Sequence, residues 1–205
     1  SNMQLALHGS KNPEDVIAAA QNPLIRHFIT PMSLAPGAAE LPAAWQQASS
    51  QSVRALSAVA YYFANNIQPV AGVPIGIVQC TYGGSRVEAW SSPELMKRDL
   101  PGYQNFIRTR PEGFFQKIPQ VQASIVYERM FSPLFPFAVK GTIWYQGEGN
   151  SGQPTEYVQI FPLLIEEFRS NFRNPDMPFY FVQLPRLVKA NWAPIRQAQL
   201  DIWKA

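Results

Sequence analysis

The chain has 205 residues, 46% of them hydrophobic and 15% charged, with a formal net charge of +3. This length and composition suit one packed domain with a sizeable core, not a disordered chain, while the scattered charge argues against a nucleic-acid partner and no apolar stretch approaches the ~18 residues of a membrane span. Cys80 is the only cysteine, which excludes an internal disulfide, and with only His8 and His27 a zinc site built on imidazoles is not expected.

Taken in order, Asn12-Pro13-Glu14-Asp15 predicts a helix start. Asn12 is placed to cap, Pro13 suits the first helical position, and two carboxylates meet the positive end of the dipole. Asn22-Pro23 stops that helix, and residues 24–29 read as a strand ending at Pro31. Residues 32–50 carry Pro36, Gly37 and Pro42 and read as a loop. From Ser52, the apolar set Val53, Leu56, Ala60, Phe63 and Ile67 has helical spacing until Pro69 and Gly72. Residues 73–80 form an almost unbroken apolar run, the pattern of a strand covered on both faces, and lead into Gly83-Gly84-Ser85.

Ser92-Pro93-Glu94 starts a short helix, and residues 99–120, rich in proline and glycine, predict irregular structure. Residues 121–131 read as helix, and Pro133 and Pro136 force an extended approach to a strand over 139–145. That strand runs into the polar turn Gln146-Gly147-Glu148-Gly149-Asn150. Tyr157, Phe161, Leu164, Phe168 and Phe172 mark a long amphipathic helix, residues 177–184 a further strand, and 193–204 a last helix. Alternating strands and helices without a repeat or linker argue for one α/β domain with a parallel sheet. In such sheets ligands sit at the strand ends.

Ester hydrolysis needs a nucleophile, a base and hydrogen-bond donors for a developing oxyanion. Gly83 and Gly84 allow backbone N–H groups to approach a ligand, and the carboxamides of Gln146 and Asn150 are further donors. Trp144 and Tyr145 alternate along their strand and are expected in the core. Cys80, ending an apolar strand, is expected to be a small packing residue.

Several segments resemble the SGNH hydrolase superfamily as it appears in sialate O-acetylesterases and related carbohydrate acetylesterases. Ser1-Asn2-Met3-Gln4 is similar to the end of that group's first block, Tyr82-Gly83-Gly84-Ser85-Arg86-Val87-Glu88-Ala89-Trp90 to its second, and residues 139–148 to its third. Leu24-Ile25-Arg26, residues 178–184 and Arg196-Gln197-Ala198-Gln199 add weaker matches in order. The resemblance covers nearly the whole chain, with residues 91–120 its least familiar part.

The resemblance implies a three-layer α/β/α sandwich with a parallel, flavodoxin-like sheet. It also implies a serine esterase that removes O-acetyl groups from sialic acid or another glycan, without metal or organic cofactor. Ser1 would be the nucleophile, and its N–H, that of Gly84 or Gly83, and Gln146 would hold the oxyanion. Asn150 is an alternative donor. Glu148 reads as a general base or an orienting carboxylate, the latter favoured, and Arg86 and Trp90 as candidate sugar contacts, with Trp90 equally suited to a structural role. The family's Asp-x-x-His block does not occur here: Asp176 is followed by Met177-Pro178-Phe179, and Asp201 by Ile202-Trp203-Lys204. The residues are therefore expected to form a single esterase domain, incomplete at both ends, with little activity alone. A periplasmic or secreted location goes with the resemblance. An esterase of acetylated plant polysaccharide and a non-catalytic carbohydrate binder are the alternative readings.

Overall fold

A computed structural model describes residues 2–36, 41, 44–98, 100–187 and 189–205. They fall into two compact units, Ser1–Ser33 with Ala39–Gly83, and Leu34–Ala38 with Gly84–Ala205.

In the first unit, helix α1 spans Pro13–Ala18 with Glu14 and Asp15 in its first turn. Asn12 does not cap it: its φ is 51°, left-handed, and its side chain makes no capping bond. A capping side chain reaches the first-turn amides only from extended backbone. Asparagine tolerates the left-handed region better than most residues, so the chain uses it to turn a corner instead. Strand β1, Asn22–Ile29, starts where Asn22 Oδ1 accepts from the Leu24 amide at 2.9 Å.

Strand β2, Gln46–Ala48, lies inside the stretch expected to be loop, and pairs antiparallel with β1, His27 opposite Gln46. Three residues without apolar alternation carry no strand signal of their own; their partner strand supplies it.

Helix α2 is Ala58–Ala71, with the Ser57 side chain accepting from the Ala60 amide at 3.3 Å. It begins later than the periodicity suggests because Ser52 Oγ accepts from the Ser49 amide at 3.0 Å and donates to Gln47 O at 2.6 Å. Such local bonds compete with helix. Pro69 sits inside the helix, which stops only at Gly72. Strand β3, Ile75–Gln79, pairs parallel with β1, so the sheet order is β2-β1-β3. Leu7, Ile17, Ile25, Val53, Leu56, Tyr61 and Ala64 form the buried cluster beneath it.

The second unit opens with short helices α3, Pro93–Met96, α4, Pro101–Arg108, and α5, Phe114–Lys117. The last two fall in the segment expected to be irregular. The helix expected over 121–131 is broken instead, into a 3-10 turn at Pro119–Val121 and a π-type turn at Tyr127–Phe131. The break is at Ser124, whose φ is 60° and whose N–H donates to Glu88 O at 2.9 Å.

Strand β4, Thr142–Trp144, pairs parallel with β5, Phe179–Phe181. Helix α6, Pro154–Asn171, runs through Pro162 between them in sequence, and α7, Ala193–Lys204, follows. An aromatic core joins these elements: Trp144 stacks on Phe161 at 5.9 Å, Phe161 meets Phe181 at 5.3 Å, and Phe131 stacks on Phe168 at 4.2 Å between centroids. The chain is thus α/β, built from helices, a three-stranded mixed sheet and a two-stranded parallel one. Among the described residues, no helix is long and apolar enough to cross a membrane.

Candidate active site

Within the second unit, the segment after Gly84 and the turn after β4 are bound together by buried polar side chains. Gly84 has φ 72° and Gly147 φ 148°, both regions that disfavour a side chain. A Cβ on Gly147 would also stand 3.0 Å from Gln199 Nε2 and 3.1 Å from Leu184 Cδ1. The sharp exit from β4 therefore depends on glycine. It turns Gln146 inward, where Gln146 Nε2 donates to Ser85 O at 3.1 Å and to Asn150 Oδ1 at 2.9 Å. Gln146 Oε1 is enclosed without a hydrogen-bond partner among the described residues.

Asn150 is the hub. Its Oδ1 also accepts from the Val87 amide at 2.9 Å, and its Nδ2 donates to Glu88 Oε2 at 2.8 Å. The other carboxylate oxygen, Glu88 Oε1, accepts from Arg86 Nη2 at 2.6 Å. Arg86 Nη1 donates to Gly149 O at 2.9 Å, Arg86 Nη2 also donates to Gln153 Oε1, and the guanidinium lies 4.2 Å above the Phe106 ring. Arg86, Glu88, Gln146 and Asn150 are 4%, 1%, 4% and 0% exposed, so water competes little for these bonds.

On the far side, Gln199 of α7 donates to Gln146 O at 3.0 Å and accepts from the Leu184 amide at 2.9 Å. The strand end is thereby tied to the chain leaving β5.

Of the residues singled out in the sequence, Gly84, Arg86, Trp90, Gln146, Glu148 and Asn150 all lie in this unit. Arg86 and Trp90 are buried; Trp90 donates Nε1–H to Ser85 Oγ at 2.8 Å and meets Trp144 edge-on at 5.4 Å. Both act here as bridges within the protein. Glu148 is partly exposed at the start of a 3-10 turn, Glu148–Asn150. Gly83 belongs to the first unit, and Ser1 lies outside the described residues. Trp144 is buried, in keeping with its strand pattern.

The sequence reading did not foresee Glu88, Gln153 or Gln199 as parts of the network. Glu88 and Gln199 do lie in segments that carry the family resemblance, and Glu88 is a lone acid two residues after an arginine, but no spacing in the sequence joins them to Asn150 or Gln146. Neither histidine lies in this unit: exposed His8 donates Nδ1–H to Arg54 O at 2.8 Å, and burial holds His27 below the ordinary imidazole value. Desolvation pushes the Cys80 thiol up to about 12, away from the thiolate form at neutral pH, in keeping with a packing residue.

A family model described as "Carbohydrate esterase, sialic acid-specific acetylesterase" matches residues 9–205. The chain belongs to that family. Ser1 precedes the matched residues. The chain is 29% identical over 153 residues to the sialate O-acetylesterase of Homo sapiens, covering 68% of this chain and 28% of that one. It is likewise 29% identical over 165 residues to the sialate O-acetylesterase of Mus musculus, covering 66% and 30%. A solved carbohydrate acetylesterase from Xanthomonas citri is similar with a TM-score of 0.82 and 29% identity, covering 100% of this chain and 46% of that one. The chain thus spans less than a third of these curated relatives and under half of the solved one.

Proposed function

We propose that the complete protein is a serine esterase that removes O-acetyl groups from sialic acid or a related glycan. Family membership supports the reaction class. The observation that carries the site is the Gln146 carboxamide at the end of β4, which reaches the carbonyl of Ser85 beside the left-handed Gly84. In this reading that side-chain donor and the N–H of Gly84 serve the same developing oxyanion.

Ser1 is the nucleophile in this reading. Its Oγ loses a proton to a histidine carried elsewhere in the complete protein and attacks the acetyl carbon. The carbonyl oxygen takes up negative charge and is held by the N–H groups of Ser1 and Gly84, with Gly83 as an alternative, and by Gln146. Collapse expels the sugar oxygen, which the histidinium protonates; water then attacks the acetyl-serine and releases acetate.

Both N–H groups of Gln146 are already given to Ser85 O and Asn150 Oδ1. Donation to the oxyanion therefore exchanges the longer of the two bonds, that to Ser85. Asn150, fully enclosed and committed to Glu88, supports Gln146 instead of replacing it. Arg86 and Trp90 act through the turns they join, and Glu148 orients the serine turn. For the complete protein we propose the single three-layer α/β/α domain that goes with this reading, with the antiparallel β2 as an addition to its parallel strands. A periplasmic or secreted location is part of the same proposal and rests on the family resemblance.

Ser1→Ala in the complete protein should abolish acetate release from O-acetylated sialic acid with the fold unchanged by circular dichroism. A folded Ser1→Ala protein that retains turnover removes Ser1 from its role. Faster release from acetylated xylan than from acetylated sialic acid by the unaltered protein would assign the polysaccharide substrate instead.

A further inference from the structure

Glu88 holds the centre of the polar network, yet it is too deeply enclosed to touch a substrate. A buried ion pair is weak evidence for stability, since apolar replacements are often as stable; what it fixes is geometry. Here the fixed geometry can be followed atom by atom. Glu88 Oε1 is occupied by Arg86, so Oε2 remains as an acceptor and Asn150 must present Nδ2 to it. That leaves Asn150 Oδ1 facing the Val87 amide and Gln146 Nε2, both of which are donors. The Glu88 carboxylate and the Val87 N–H thus fix from opposite ends which way the Asn150 amide points, and the carboxylate is the one of the two that a substitution can change. Asn150 Oδ1, together with Ser85 O, in turn holds Gln146 with its NH2 group, not its carbonyl oxygen, towards Ser85.

We propose that Glu88 is a positioning residue for catalysis, setting the donor polarity of Asn150 and through it of Gln146. This rests on the esterase reading, in which Gln146 NH2 meets the oxyanion. The backbone reinforces the arrangement. Glu88 O accepts from the strained Ser124, and Arg86 clamps Gly149 O and Gln153, so the two turns cannot part without uncovering the carboxylate.

The inference makes an unusual demand on substitutions. Glu88→Gln keeps the shape but sets an NH2 group against Asn150 Nδ2. If the Asn150 amide flips to accept that hydrogen, its own NH2 then faces the Val87 N–H and Gln146 Nε2, donor against donors. Either way the chain of donors breaks. Asn150→Asp alone sets two carboxylates against each other. Combined, E88Q/N150D restores an acceptor at each place where a donor points and keeps the net charge beside Arg86.

In the complete protein, kcat for an acetylated sugar should fall about 10²-fold in Glu88→Gln, the cost of a misplaced catalytic group, with KM little changed. E88Q/N150D should recover most of that loss. Glu88→Asp, which keeps the charge but withdraws it from Asn150, should lose kcat similarly. A folded Glu88→Gln or Glu88→Asp protein with unchanged kcat overturns the proposal. So does a folded double variant no faster than Glu88→Gln, or, where Glu88→Gln does not fold, one with kcat far below the unaltered protein. Gln146→Ala is the control for the underlying reading: if it retains kcat, Gln146 is no oxyanion donor, whereas its collapse alongside full activity in Glu88→Gln rejects the role of Glu88 alone.

Discussion

At the scale of single residues, the site is organised by which groups are denied water. Arg86 and Glu88 are buried together and share two turns between them. Arg86→Met should leave the Glu88 carboxylate enclosed without its cation and cost about 3–5 kcal/mol of stability, read from denaturant unfolding. A loss below about 1 kcal/mol, the range of exposed pairs, would mean that water reaches the carboxylate.

His27 gives a second test. Its folded-state pKa is lowered by burial from the ordinary 6.5, so the unfolded chain takes up a proton more readily than the folded one. Its contribution to stability is full above pH 6.5 and is lost as pH falls through the depressed folded value. His27→Gln should flatten the dependence of unfolding free energy on pH below 6.5, relative to the unaltered protein. An identical slope in both proteins would contradict the assignment.

At the scale of elements, aromatic side chains connect the site to the core. Phe161 of α6 is fully buried and packs on Trp144 of β4, the strand that delivers Gln146. It also meets Phe179 and Phe181 of β5. Phe161→Ala should cost about 3–5 kcal/mol by calorimetry or denaturant unfolding, because the cavity lies among side chains held from three elements. A cost under 1 kcal/mol would mean that the strand ends are positioned by the polar network alone.

The elements also show what could be read in advance. The segments 24–29, 73–80, 139–145 and 177–184 each share residues with a strand, β1, β3, β4 and β5, because their Ile, Val, Phe, Tyr and Trp side chains suit a pleated, half-buried surface. Strand β2 was illegible because its pairing partner lies some twenty residues away and its own residues carry no pattern. The helix expected at 121–131 is broken by a tertiary bond, Ser124 N–H to Glu88 O, which outweighs local periodicity. Asn12 has the residue type of a cap, but its left-handed backbone keeps the side chain from capping.

At the scale of the whole molecule, the glycine turn at Gly84 and the Gln146 turn were legible as motifs. Their linkage was not, because Glu88 and Asn150 are 62 residues apart and Gln146 and Gln199 are 53 apart. Contacts of that separation leave no periodicity. Membership of the sialic acid-specific acetylesterase family accounts for the motifs, and the buried network accounts for why they keep their geometry.

The central claim is that the β4 strand end supplies an oxyanion donor. It is tested most directly by acetate release from O-acetylated sialic acid in the complete protein carrying Gln146→Ala. Removal of one such donor should lower kcat about 10²–10³-fold with KM little altered. A folded Gln146→Ala protein with kcat equal to that of the unaltered protein would contradict the account.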